Sequence, residues 1–186
     1  MIQGTIAEQY GKLWDYYADL MCMNSGFMMK VKCAMNEVYP NPKFQRIYMC
    51  LQGLKEGWLA GCRKIIGLDG CFIKGHHTGQ LLIAIGVDPN NHMYPIAYAI
   101  VEFETRDSWT WFLEFIGADS CLDNSHGLSW ISDKHKGFVD TIAEMFPHSQ
   151  HRHCMKHLHN NFKVHYKGLL LKQALWAATK SNSEPR

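Results

Sequence analysis

Two aspartates stand where their residue type is out of place. Asp69 lies inside "KIIGLDGCFIKG" (64–75), where Ile65, Ile66, Leu68, Phe72 and Ile73 read as a strand entering a core. Aspartate is depleted from strands, and a charge there is costly unless it is paired, hydrogen-bonded or bound to a metal. Asp133 ends a second apolar run, "LSWISD" (128–133), 64 residues further on. If the two strands are neighbours, both carboxylates converge at one sheet edge. Paired carboxylates bind hard divalent cations through oxygen. Two such ions, roughly 3.5–4 Å apart, activate a nucleophile and stabilise a leaving oxygen in phosphoryl transfer. Two plainer readings stay open. Asp133 before "KHKG" could cap the following helix, and Asp69 before Gly70 could sit in a bulge or turn.

A second cluster, "HRHCMKHLHNNF" (151–162), contains a C-x-x-H formed by Cys154 and His157. Cysteine and histidine are zinc ligands, but a structural zinc site takes four, and no second pair stands at finger spacing. His157 could instead support the acidic pair or touch a phosphate, or the cluster could be a packed helix start. Charge is uneven along the chain. From Lys134 to Lys172 there are seven Lys/Arg and two acids, so this stretch carries +5 and the rest −3. Eight of the eleven histidines fall between His126 and His165. Such a half suits a polyanion, or is a solvated helix face.

These residues need elements to hold them. At 186 residues and 47% apolar composition, the chain fits one ordinary domain with a small extra segment. The spacing of Ile6, Tyr10, Leu13, Trp14, Tyr17 and Leu20 predicts an amphipathic helix over 5–21. Residues 24–50 read as irregular, broken by "YPNPKF", with a possible strand at 44–50. Three strands follow, at 63–74, 80–88 and 94–104, and their short connections make them antiparallel neighbours. A helix, "SWTWFLEFIGA", capped by Asp107 or Ser108, packs Trp109, Phe112, Leu113 and Ile116 on one face. Then come strand 128–133, helix 136–146, a short strand at "HRHCM", and helices at "KHLHNNFKVHY" and "LLLKQALWAATK". An antiparallel meander followed by alternating helix and strand implies an α/β fold with a mixed sheet and flanking helices.

The seven cysteines are scattered and form no C-x-x-C, which fits reduced thiols. Apolar stretches such as "LLIAIGV" (81–87) fall short of the about 20 residues a bilayer span takes. The start, "MIQGTIAEQYGKLW", lacks a signal-peptide pattern. The expectation is a soluble intracellular protein with no membrane contact.

Four strings carry a family resemblance: "CRKIIGLDGCFIKG", "GQLLIAIGVDPNNHMYPIAYAIVEFETRDSWTWFLEF", "ISDKHKGFVDTIAEMFP" and "HRHCMKHLHNNF". Over about residues 40–178 the chain resembles the catalytic domain of plant Mutator-like element (MULE) transposases. The resemblance implies a ribonuclease-H-like fold, a DDE-type transposase, nuclear localisation, and DNA as partner, with a homo-oligomer possible. Asp69 and Asp133 match the family's first two acids, and Cys154 and His157 its C-x-x-H. The implied cofactor is Mg²⁺ or Mn²⁺, held by Asp69 and Asp133. Lys134, Lys136, Arg152, Lys156 and Lys163 are the candidate DNA-binding residues. The implied organisation is a helical lead-in (1–60), a core (61–180) and a divergent tail (181–186). The chain departs from the family in having "NSG" (24–26) for Asn-Pro-Gly, and after residue 176, where "WAATKSNSEPR" leaves the pattern. The family's third acid lies beyond a helical insertion, and Glu184 does not match its context. The expectation is therefore a fragment that binds metal weakly and has little or no activity alone. The alternatives are a domesticated, non-catalytic DNA- or protein-binding derivative and a zinc-structured interaction domain.

Overall fold

The computed structural model describes residues 5–36, 39–75, 78–119, 122, 125–134 and 136–180. Helices α1 (Ile6–Gly11) and α2 (Leu13–Met23) lead in, followed by strands β1 (Met28–Asn36) and β2 (Tyr39–Cys50) and helix α3 (Gln52–Gly61). Next come β3 (Ile65–Ile73), β4 (Gly79–Val87), β5 (Met93–Val101), α4 (Arg106–Asp119) and β6 (Ser129–Ser132). The described part closes with α5 (Lys136–Met145), β7 (Gln150–His153), α6 (Met155–His165) and α7 (Leu169–Lys180). No helix among the described residues is long and apolar enough to cross a membrane.

All seven strands form one mixed sheet in the order β1-β2-β5-β4-β3-β6-β7. The meander β3-β4-β5 is antiparallel, whereas β6 joins β3, and β7 joins β6, in parallel. The expectation of a meander followed by alternating helix and strand therefore holds. One consequence of these directions matters below: β3, β5, β6 and β7 all point the same way, so their carboxyl ends share one edge.

The stretch 24–50 is a correction. It is not irregular but a long antiparallel hairpin, β1-β2, which joins the sheet beside β5. The prolines do not break it. Register shifts between Lys32 and Cys33 and between Ala34 and Asn36 leave the residues around Pro40 and Pro42 out of the ladder. The pairing of β2 with β5 covers only Ile47–Met49, so no ladder bond is asked of either proline there.

Burial explains the layering. Along β4, alternate residues are buried, with Leu82 and Ala84 in the core. Trp109, Phe112, Leu113 and Ile116 of α4 are all buried, at helical spacing. Phe138 and Ile142 of α5 join them, and the Trp109 and Phe138 rings lie 4.5 Å apart. Each such side chain contributes roughly 1.5–3 kcal/mol by burial. Trp58 of α3 rests on Gly86, where a Cβ would come within 2.6 Å of the indole. A smaller cluster, Phe27, Met29 and Ile47, packs under Leu13, Tyr17 and Leu20 of α2. The cap of α4 also differs from expectation. The hydroxyl of Thr105 accepts the Ser108 N–H at 3.2 Å, and the Ser108 hydroxyl accepts the Thr105 N–H at 2.9 Å. Asp107 is therefore free to pair elsewhere.

Candidate active site

Parallel pairing brings the two aspartates together. Ile65 registers with Ser129, Ile66 with Trp130 and Gly67 with Ile131, each pair 64 residues apart. Asp69 and Asp133 have the same separation, so they stand level, two places beyond the last registered pair. Adjacent strands lie about 4.8 Å apart, which sets the scale of the approach.

The surroundings correct one premise. Asp69 is not desolvated: half of its side chain is exposed, because the end of β3 outruns the short β6. Its Oδ1 accepts the N–H of Gly70 at 3.0 Å, and the Asp133 Oδ1 accepts the N–H of Lys134 at 2.6 Å. Among the described residues neither carboxylate has a Lys or Arg partner within 4 Å. On the α6 side, the Nε2 of His157 lies 3.8 Å from Asp69 Oδ1. The Nδ1 of His157 is buried without a hydrogen-bond partner.

Asp69, Asp133 and a third acid, Glu104, line one cleft of about 20 Å³, walled by Leu68, Trp109 and Phe138. That is room for about one water-sized occupant. Glu104 was not singled out in the sequence. It follows β5, and its carboxyl group lies over Gly70, where a Cβ would sit 3.1 Å from the carboxyl carbon. The Trp109 Nε1–H donates to Glu104 Oε1 at 3.2 Å. The signal was available in strand directions: the ends of β3, β5 and β6 must share an edge, and "EFETRDSW" places an acid just past one of them.

The C-x-x-H occupies the start of α6. Cys154 is the N-cap residue, and its N–H donates to the Ser132 carbonyl at 2.7 Å, tying α6 to the strand that precedes Asp133. His151 lies with its Nε2 2.8 Å from the Ser132 hydroxyl. Burial, and then the neighbouring His153, push the His151 pKa down. Among the described residues no group of three or more His, Cys, Asp or Glu is arranged to hold an ion. Cys154 and His157 therefore have no further zinc ligands gathered around them. Of the candidate DNA-binding residues, Lys134, Arg152, Lys156 and Lys163 are exposed. Lys136 opens α5, and its side chain lies outside the described part, as does the tail with Glu184.

The domain is thus a mixed α/β sheet that gathers Asp69, Asp133 and Glu104 at one cleft. Residues 65–161, over half of the chain, match the family model of the MULE transposase domain. The chain belongs to that family. No curated protein matches it.

Proposed function

We propose that this is the ribonuclease-H-like core of a DDE-type transposase and that its acidic edge serves metal-dependent cleavage and transfer of DNA strands. The observation that carries the reading is the placement of Asp69 in β3 and of Asp133 just past the end of the adjacent parallel β6, both lining one cleft, with no Lys or Arg ion pair to either among the described side chains. The five-strand portion β5-β4-β3-β6-β7, with β4 alone reversed within it, supports the fold assignment.

The donor set fits the implied ion. Mg²⁺ takes oxygen ligands, keeps several waters, and is commonly held by one or two carboxylates together with substrate phosphates. Asp69 and Asp133 would hold Mg²⁺ or Mn²⁺, which would supply a Lewis acid and a water of lowered pKa. The chain's own residues do the rest. Glu104 adds a third negative charge to the cleft wall. His157 holds Asp69 from the α6 side. Lys134, Lys136, Arg152, Lys156 and Lys163 meet DNA phosphates, and the proposed site of this work is the nucleus.

A supercoiled plasmid tests the reading. Nicking with Mn²⁺ that is lost in Asp69→Asn supports it, while nicking that survives the change overturns it. The second reading, a non-catalytic DNA-binding derivative, is favoured by the lack of a three-ligand group among the described residues. DNA binding without any metal-dependent nicking would select it.

A further inference from the structure

Helices α6 and α7 form an arm with no buried residue in either helix. An open groove of about 450 Å³ runs between them, lined by His159, Phe162, Lys163, Tyr166, Lys167 and Lys172 among others. Aromatic and lysine alternate at helical spacing: Phe162 with Lys163, then Tyr166 with Lys167. The Phe162 and Tyr166 rings stack at 4.8 Å and 29°, and Tyr166 stays 57% exposed. Between Glu144 and Glu184 the sequence holds six Lys/Arg and no Asp or Glu.

A polyanion complements this charge, and the exposed rings narrow the choice. Bases inside a duplex are stacked on one another, so a protein ring can stack only on a base that is unpaired. The groove's position narrows it further. His157 beside Asp69 and Phe162 in the groove lie on α6, and Tyr166 is the residue that caps its carboxyl end. Phe162 and Tyr166 stand five and nine residues further along, about 8 and about 13 Å by helical rise. At about 3.4 Å per stacked nucleotide, that is about two to four nucleotides from the acidic edge.

We propose that the α6–α7 groove holds unpaired nucleotides of the DNA strand whose phosphate lies at Asp69 and Asp133. A base stacks on Tyr166, backed by Phe162, and the phosphates meet Lys163, Lys167 and Lys172. The proposal rests on the DNA reading above but not on catalysis.

The test is fluorescence anisotropy of the full chain with a labelled ten-nucleotide oligothymidylate, in EDTA, across a salt series. Tyr166→Ala weakens binding by about 5- to 100-fold, as loss of a stacking ring does, and Tyr166→Phe retains it. Lys167→Ala lowers the slope of log affinity against log salt by about 0.7. A hairpin duplex of equal length competes less well than the unlabelled single strand. Unchanged affinity in Tyr166→Ala, equal loss in Tyr166→Phe, or better competition by the duplex overturns the proposal. Because no metal is present, a groove that binds while plasmid nicking fails leaves the proposal standing and removes the catalytic reading. Nicking with no effect of Tyr166→Ala on oligonucleotide binding does the reverse.

Discussion

Glu102 and Glu104 stand two residues apart past the end of β5, and their surroundings are opposite. Glu102 is paired within the chain. The buried Arg46 of β2 donates from Nε to its Oε2 at 2.8 Å and from Nη2 to its Oε1 at 2.6 Å. The same guanidinium reaches the Asp107 carboxylate, and its carbon lies 5.7 Å from the centre of the Trp111 ring. A forked, stacked geometry of this kind is specific to arginine. Among the described side chains Glu104, Asp69 and Asp133 have no Lys or Arg partner: the indole of Trp109 donates to Glu104, and His157 Nε2 lies 3.8 Å from Asp69. One group of acids is neutralised to weld the β1-β2 hairpin to α4. The other is left open at a cleft. An acid serves the fold where the chain supplies its cation, and an acid without one is available to the external cation proposed above.

The largest way to break this comparison is to remove the arginine. Arg46→Met strands Glu102 and Asp107, and should cost about 3–5 kcal/mol in urea unfolding. Arg46→Lys should recover little of it. A loss near zero would mean that the hairpin is held by its apolar contacts alone.

Asp69→Asn should do the converse. Whatever Mn²⁺-dependent nicking the chain retains alone should fall a hundredfold or more, about 3 kcal/mol of lost transition-state stabilisation. The melting temperature should hold or rise slightly, because a like-charge neighbour is gone. A large drop in melting temperature would place Asp69 with the structural acids instead.

Acid titration separates the two groups more gently. Burial alone would raise the Glu102 pKa, but the hydrogen bonds and charge of Arg46 outweigh it, so the folded value lies below the ordinary 4.5. Its contribution to stability is therefore full above pH 4.5 and is lost as pH falls below that, through the folded value. Glu102→Gln should flatten this acid limb. His151 adds a limb at higher pH: with a folded pKa below 6.5, its contribution is full above pH 6.5 and fades as pH falls below it.

The smallest effect concerns Gly70. Its missing Cβ leaves room for the Glu104 carboxyl, and an alanine there would require a shift of a few tenths of an ångström. Gly70→Ala should change stability by less than about 1 kcal/mol and lower Mn²⁺ affinity, read by calorimetry, by up to about tenfold. No change in affinity would show that Glu104 does not act on the cleft.

Much of this was legible in the residues. The β3-β4-β5 meander could be read because its strands are largely apolar and its connections short. The helical spacing of Trp109, Phe112, Leu113 and Ile116 named the face that α4 buries. Three features were hidden. The hairpin β1-β2 was masked by its prolines, although Met29, Val31 and Cys33 alternate with Lys30 and Lys32 in the period-two pattern of a strand. The exposure of Asp69 depends on how far one strand outruns its neighbour, which the spacing of motifs does not state. Glu104 looked like the polar end of a strand, because its meaning comes from strand direction, a property of the whole sheet.

The 64-residue separation of Asp69 and Asp133 also has a kinetic meaning. Their strands are separated in sequence by β4, β5 and α4, so their pairing is a long-range contact. Local hairpins close within about 1–10 μs, whereas contacts between distant segments wait on the closure of long loops. The chain therefore carries a single acidic half-site throughout its early folding. The pair proposed to hold a cation forms only when this long-range contact closes, so on that proposal capture of the ion would report a late step of folding.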